Sequence, residues 1–156
     1  MHHGTNHLHS VVSNNDVSIN HRILLYVNAL PFPEMLPYDV ESLLTMLHTR
    51  LFDETTLVIH ECLCACRDHS HSLQYRFAHF LGKTPHKYVQ HHRLTLAEML
   101  LRETDEMIAE IALSVGYKTH CAFNMAFTRR FGMPPDAYRK KCIASCVEMP
   151  QNTDEF

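Results

Sequence analysis

Cysteine and histidine side chains, which can bind metal ions or act as nucleophiles, are concentrated between positions 60 and 71 of the chain. Structural zinc sites usually use two separated pairs of ligands, such as two C-x-x-C motifs. Cys62, Cys64 and Cys66 alternate instead, and on a helix Cys62 and Cys66 would share a face while Cys64 would point elsewhere. We therefore predict buried or unreactive thiols, with no metal site and no bound cofactor.

The same residues raise the alternative of a Cys–His pair for nucleophilic catalysis. The chain contains no glycine-rich phosphate loop, no paired-carboxylate site and no metalloprotease motif, so we predict that the protein is not an enzyme. Its N-terminus lacks the apolar core of a signal peptide, and no apolar run is long enough to cross a membrane. These absences predict a cytoplasmic protein whose thiols are reduced.

A different chemistry is indicated by a polar strip on the helix predicted to start near residue 120. Its outward side chains are His120, Cys121, Asn124, Met125, Thr128 and Arg129. Asn suits bidentate hydrogen bonds to adenine, and Met suits the thymine methyl group. A shorter strip lies about fifty residues earlier, at His71, Gln74 and Tyr75. Except for Thr128 and Arg129, we expect the residues of both strips to contact base edges in the major groove of DNA.

Charge distribution supports an anionic partner, although the net charge of the chain is −3. Residues 1–69 carry three arginines against eight acids, and residues 146–156 carry three acids. Residues 70–145 carry eleven lysines and arginines against six acids. Because salt in the cell screens charges beyond roughly 8 Å, the local basic block matters more than the total. Our candidates for phosphate contact are Lys87, Arg93, Lys118, Thr128, Arg129, Arg130, Arg139 and Lys140.

Two short helices joined by a tight turn would position the strip that begins at His120. Ile108, Ile111, Ala112 and Val115 recur at helical spacing, and Gly116 permits the turn that follows. Thr119 can cap the second helix, whose apolar side chains are Phe123, Ala126, Phe127 and Phe131. This arrangement predicts a helix-turn-helix.

The remaining pattern predicts an all-α protein of about seven helices. Amphipathic segments cover residues 38–52 and 70–81, and a long helix is expected from about Pro85 to Arg102. The chain therefore repeats itself, with helix-turn-helix units at residues 56–82 and 106–132 joined by the long helix. The apolar run at residues 23–27 fits a strand or a short helix. We assign residues 1–37 to a partly disordered arm and linker, residues 38–145 to the domain, and residues 146–156 to an acidic flexible tail.

The second unit closely resembles the C-terminal segment of AraC/XylS-type transcription regulators. The matching residues are Ile108, Ile111, Ala112, Gly116, Tyr117, Phe123, Phe127, Arg130, Phe131, Gly132, Pro135, Tyr138 and Arg139. The resemblance implies a double helix-turn-helix domain that binds double-stranded DNA in two adjacent major-groove segments. It also implies recruitment of RNA polymerase, more often for activation, by a protein bound as a monomer and associated with the nucleoid.

The first unit departs from the family pattern. Arg67 and Asp68 occupy the turn where the family usually has Gly and an aromatic residue, and Arg76 stands at an apolar position. Met125 of the second unit stands where a basic residue is usual. These departures leave open a degenerate regulator or interaction module that keeps the fold but binds DNA weakly. Residues 1–37 are too few for the family's ligand-sensing barrel, so we expect either a small single-domain regulator or a fragment.

Overall fold

The computed structural model describes residues 18–53, 58–66 and 70–147, and within these ranges the protein is entirely helical. The eight helices are α1 Ile19–Asn28, α2 Tyr38–Thr49, α3 Val58–Ala65, α4 Ser70–Leu81, α5 Pro85–Glu103, α6 Ile108–Ser114, α7 His120–Phe131 and α8 Pro135–Val147. The all-α fold is confirmed. The described ranges hold one helix more than the approximate number expected, and each of these helices is too short or too polar to cross a lipid bilayer.

Helix α1 lies inside residues 1–37, which the sequence assigned to an arm and linker. The Ser18 hydroxyl caps it by accepting a hydrogen bond from the His21 amide at 3.4 Å. Ile19 and Ile23 pack against the core of the C-terminal half, and Arg22 forms a 2.7 Å ion pair with Glu103. This part of the presumed arm is therefore a packed helix. The predicted disorder of residues 1–17 and the tail beyond residue 147 lie outside the described residues.

Two apolar cores divide the domain into two lobes that share α5. The first lobe comprises α2, α3, α4 and the start of α5, where Tyr88 and Val89 are buried. The second lobe comprises the rest of α5 with α6 and α7, and α1 and α8 pack against it. Thr84 caps α5, Pro85 occupies its first turn, and its 19 residues span roughly 28 Å without interruption. Because both cores include residues of α5, this helix holds the lobes in one orientation.

The turn between α6 and α7 has the geometry expected from its glycine. Gly116 adopts a φ of +87°, and a Cβ atom built there would lie 2.8 Å from Cζ of Arg93. Any larger residue would therefore suffer both backbone strain and a clash. Thr119 caps α7 as predicted, since its hydroxyl accepts a hydrogen bond from the Ala122 amide at 3.2 Å.

Thr104 ends α5, and Met107, the N-cap of α6, makes no side-chain capping bond. Phe80 is 45% exposed, although it lies within an amphipathic segment. The expected start of the first helix-turn-helix unit at residue 56 and the altered turn at Arg67 and Asp68 fall on residues that the structure does not describe.

Candidate nucleic-acid interface

Helices α4 and α7 are equivalent elements of the two lobes, fifty positions apart in the chain. Each buries two large side chains one turn apart, Leu73 and Phe77 in α4 and Phe123 and Phe127 in α7. Each is followed by a glycine with positive φ, +70° at Gly82 and +77° at Gly132. The repeated burial pattern means that equivalent positions face outward on both helices.

The outward face of α7 brings together the whole predicted strip. His120, Cys121, Asn124, Met125, Thr128 and Arg129 line one open depression on the surface. Met125 is 61% exposed although its side chain is apolar. One face of α7 thus carries an amide, a ring nitrogen, a hydroxyl, an apolar group and a cation. This set of groups suits the edges of bases and the adjoining phosphates.

The outward face of α4 carries the three residues expected to contact bases from the first lobe. His71 is exposed, Tyr75 is 75% exposed and Gln74 is partly buried. Arg76, which stands beside the core, directs its guanidinium to the Asp39 carboxylate on α2. This contact explains how the first lobe accommodates arginine at a position where its equivalent on α7 is Ala126.

Arg93 was expected to contact phosphate, but its guanidinium is engaged within the protein. Its Nε and Nη2 atoms donate to the carbonyl oxygens of Leu51 and Asp53, at 2.8 and 2.9 Å, in the segment after α2. Its Nη1 atom donates to the Gly116 carbonyl at 2.8 Å in the turn of the second lobe. Burial lowers the pKa of this guanidinium from its usual value. Arg93 therefore joins the two lobes to each other.

Two more arginines expected to contact phosphate are engaged within the protein. Arg130 donates to the His91 carbonyl at 2.5 Å and to the Thr95 hydroxyl at 2.9 Å. Arg139 donates to the carbonyl oxygens of Leu101 and Glu106, at 3.4 and 2.7 Å, around the end of α5 where helical carbonyls lack partners. Both arginines fix elements against α5, and a phosphate contact would have to share or break these four hydrogen bonds.

The other cations expected at phosphates are Lys87, Lys118, Arg129 and Lys140, and all are exposed. Lys140 forms a 2.8 Å ion pair with Asp136 on its own helix. The sequence prediction omitted Lys83, which lines a second depression together with Lys87, Arg129 and Arg130. Lys83 lies in the loop before α5, where no helical periodicity identifies it, and only the packing of α7 beside α5 reveals its neighbours.

The cysteine-rich segment does not assemble a metal centre in the described part of the chain. There, no group of three His, Cys, Asp or Glu side chains is close enough to hold a metal ion. Cys62 is buried, and burial raises the pKa of its thiol. Cys64 lies on the exposed side, with Sγ 3.8 Å from both ring nitrogens of His60.

Comparison with protein families places this geometry among known domains. A family described as a helix-turn-helix domain matches residues 69–141. The transcriptional regulator MtrA of Neisseria gonorrhoeae is 39% identical over 69 residues, which is 44% of this chain and 23% of that protein. A putative AraC-like transcription regulator of Streptomyces antibioticus is 37% identical over 101 residues, covering 65% of this chain and 33% of that protein. The chain thus spans a quarter to a third of these relatives.

Solved structures share the fold. The DNA-binding domain of the transcriptional factor AdpA, crystallised with a target DNA, superposes with a TM-score of 0.62 at 20% identity, over 70% of this chain and 97% of that one. The C-terminal domain of AraT, a response regulator from Geobacillus stearothermophilus, superposes with a TM-score of 0.60 at 24% identity, over 70% of this chain and 88% of that one. At these identities the likeness concerns the fold alone.

Proposed function

We propose that this chain carries an AraC/XylS-type helix-turn-helix DNA-binding domain and is a transcription regulator that binds specific sites in double-stranded DNA, as its similarity to such regulators supports. The observation that carries the proposal is the depression on α7, where six side chains suited to bases and phosphates lie together. Both lobes would bind one duplex, with α4 and α7 in successive major-groove segments about 34 Å apart on one face.

The rigid connection between the lobes supports binding to two adjacent segments. Helix α5 is continuous from Pro85 to Glu103 and contributes to both cores. Arg93 adds hydrogen bonds that join the segment after α2 to the turn at Gly116. A protein held in this way reads half-sites at one fixed spacing, because a change of spacing would require one core to be disrupted.

We assign base contacts to the outward side chains of both helices, with Asn124 and Gln74 as candidates for adenine and Met125 for a thymine methyl group. The complete set is His71, Gln74, Tyr75, His120, Cys121, Asn124 and Met125. We assign phosphate contacts to the exposed side chains Lys87, Lys118 and Arg129 and to the half-buried Thr128 beside them. Arg130, Arg139 and Lys140 become secondary candidates, since each already has a partner within the protein.

The regulatory role proposed is activation by recruitment of RNA polymerase, with the protein bound as a monomer and without enzymatic activity. The family resemblance supports this role. One relative, RhaR of Klebsiella pneumoniae, is named a transcriptional activator and is 30% identical over 74 residues, 47% of this chain and 26% of that protein. A monomer already offers two recognition helices, so two-fold symmetry is not needed for two groove segments.

Selection of binding sites from a random duplex pool, followed by titration at two salt concentrations, tests the proposal. We expect the selected duplex to bind at least about a thousandfold more tightly than random duplex. Binding to both duplexes should weaken as salt rises, because phosphate contacts release counterions. A protein that enriches no sequence and shows no salt-dependent binding would instead be the weakly binding interaction module.

A further inference from the structure

A basic depression lies between the start of α5 and the end of α7. Lys83 and Lys87 line it on one side, Arg129 and Arg130 line it on the other, and Leu94 and Ala126 contribute apolar surface. Its volume is about 350 Å³, and no carboxylate is among the lining residues. Because opposite charge is absent, the four cations create a locally positive potential.

Three of these cations are available to an external anion. Within the described ranges no carboxylate pairs with Lys83, Lys87 or Arg129, whereas Lys140 on α8 is paired with Asp136. Arg130 is different, because it is held by the His91 carbonyl and the Thr95 hydroxyl. The depression therefore combines one immobilised guanidinium with three cationic groups that have no acidic partner.

The neighbouring histidine is consistent with a positive environment. His91 lines the same depression, and its pKa is lowered first by burial and then by the charges of Arg130 and Lys83. A bound anion would offset those charges. The position therefore has the electrostatic character of an anion site, in agreement with the geometry of the four cations.

The location of the depression identifies its occupant. Arg129 lines both this depression and the one on the outward face of α7, so the two surfaces are continuous. Lys83 directly follows Gly82, where α4 has just ended. The cations thus lie between the two surfaces proposed to contact bases, where a duplex bound by both helices would carry its backbone from one groove segment to the next.

We propose that this inter-lobe depression binds a backbone phosphate of the DNA between the two half-sites, and that Lys83 contacts this phosphate directly. The proposal rests on the DNA-binding function proposed above and adds a contact that needs both half-sites on one duplex. A duplex truncated at the edge of the α7 half-site, before the backbone segment that joins the half-sites, would lack this contact. The depression would thereby favour joined half-sites over separate ones without contacting any base.

The test compares Lys83→Gln with the matched control Lys141→Gln, which removes the same charge from an exposed position on α8. Each protein is titrated with the full selected duplex and with a duplex truncated to the α7 half-site. For Lys83→Gln we expect about three- to tenfold weaker binding to the full duplex and a salt slope smaller by about one. Binding to the truncated duplex and the preference among bases should not change.

The outcomes separate this proposal from the function on which it rests. If the unmodified protein selects a site and Lys83→Gln binds the full duplex as Lys141→Gln does, the depression is not a DNA contact and the proposed function stands. Equal losses on full and truncated duplex also overturn it. If the unmodified protein binds no DNA, both proposals fail. Inhibition by millimolar inorganic phosphate, beyond that of chloride at equal ionic strength, would assign the site to a small anion instead.

Discussion

The two lobes bury equivalent positions of α4 and α7 but support these helices with different chemistry. Around α7 the rings of Phe123, Phe127, Phe131 and Tyr138 pack in succession, with neighbouring centroids 4.3 to 5.6 Å apart. Around α4 the core is mostly aliphatic, and the ring of Phe77 contacts that of Tyr88 with centroids 5.6 Å apart. The comparison shows that the same burial pattern can orient two helices whose core partners and outward side chains differ.

The outward residues of α4 and α7 also differ. Position 129 of α7 is arginine, whose guanidinium suits phosphate, and its equivalent on α4 is His79, which has no guanidinium. Arg76 of α4 is held by Asp39, which ties α4 to its own lobe. We therefore expect the second lobe to supply most of the discrimination among bases and the first lobe mainly to anchor the duplex.

The largest expected effect concerns the contact that keeps the lobes together. Arg93→Lys retains the charge but cannot donate to three carbonyl oxygens in the directions that the guanidinium reaches. Leaving partly buried carbonyls without donors should lower the free energy of unfolding by about 2–3 kcal/mol, measured by urea denaturation. The salt slope of DNA binding should stay the same in the folded variant. A reduced salt slope with unchanged stability would instead support the phosphate contact that the sequence analysis expected of Arg93.

The inequality in base discrimination can be tested with one substitution in each lobe. Asn124→Ala should cost roughly 1–3 kcal/mol on the selected site and relax preference at one base pair, because a bidentate amide is lost. Gln74→Ala, at the equivalent position of α4, should cost less and change preference little. Titrations on single-base variants of the site measure both. A greater loss of preference in Gln74→Ala would reverse the assignment of the two lobes.

A smaller effect is expected on the salt dependence of DNA binding, which should differ between variants at Arg129 and at His79. Arg129→Ala should weaken binding to specific and random duplex alike and reduce the salt slope by about one contact. His79→Ala should change the salt slope less, because α4 has no guanidinium at this position. Equal salt slopes for the two variants would show that Arg129 does not contact the DNA backbone.

The smallest effect concerns pH, which should act on the first lobe before the second. The equivalent tyrosines Tyr88 and Tyr138 form 2.7 Å hydrogen bonds with His48 and with the Glu98 carboxylate, respectively. Burial lowers the pKa of His48, and burial together with nearby His91 and His48 lowers that of His92 to about 4. The ring of His92 forms a hydrogen bond with the Tyr26 hydroxyl. The positive charges of Lys83 and Arg130 lower the pKa of His92 further.

The sign of the pH effect follows from these lowered values. The folded protein holds both imidazoles neutral, whereas the unfolded chain protonates them near pH 6.5. The contribution of each imidazole to stability is present above about pH 6.5 and is lost as pH falls through its lowered pKa, which for His92 is about 4. Hydrogen exchange at pH 7.5 and 5.5, corrected for the intrinsic rate, should show lower protection in α2 and the start of α5 than in α6 and α7. Uniform loss of protection would contradict the difference between the lobes.

Periodic apolar spacing was enough to predict α2, α4, α5 and α7, and Gly116 identified the turn that orients α7. The docking of α1 could not be predicted, because the run at residues 23–27 fits a strand or a helix and its partners lie far away in the chain. The hydrogen bonds of Arg93 and Arg139 could not be predicted from the sequence either. The sequence shows that these residues are charged, but the carbonyl oxygens that accept their hydrogen bonds are determined by how the helices pack.

Hydroxyl-radical footprinting of the unmodified protein on its selected duplex tests most directly whether two linked helices bind one DNA face. We expect two protected segments whose centres lie about 10 base pairs apart on the same face of the duplex. The segment bound by α7 should lose its protection in Asn124→Ala more readily than the other does in Gln74→Ala. A footprint confined to one segment, or two segments on opposite faces, would contradict the two-lobed mode of binding.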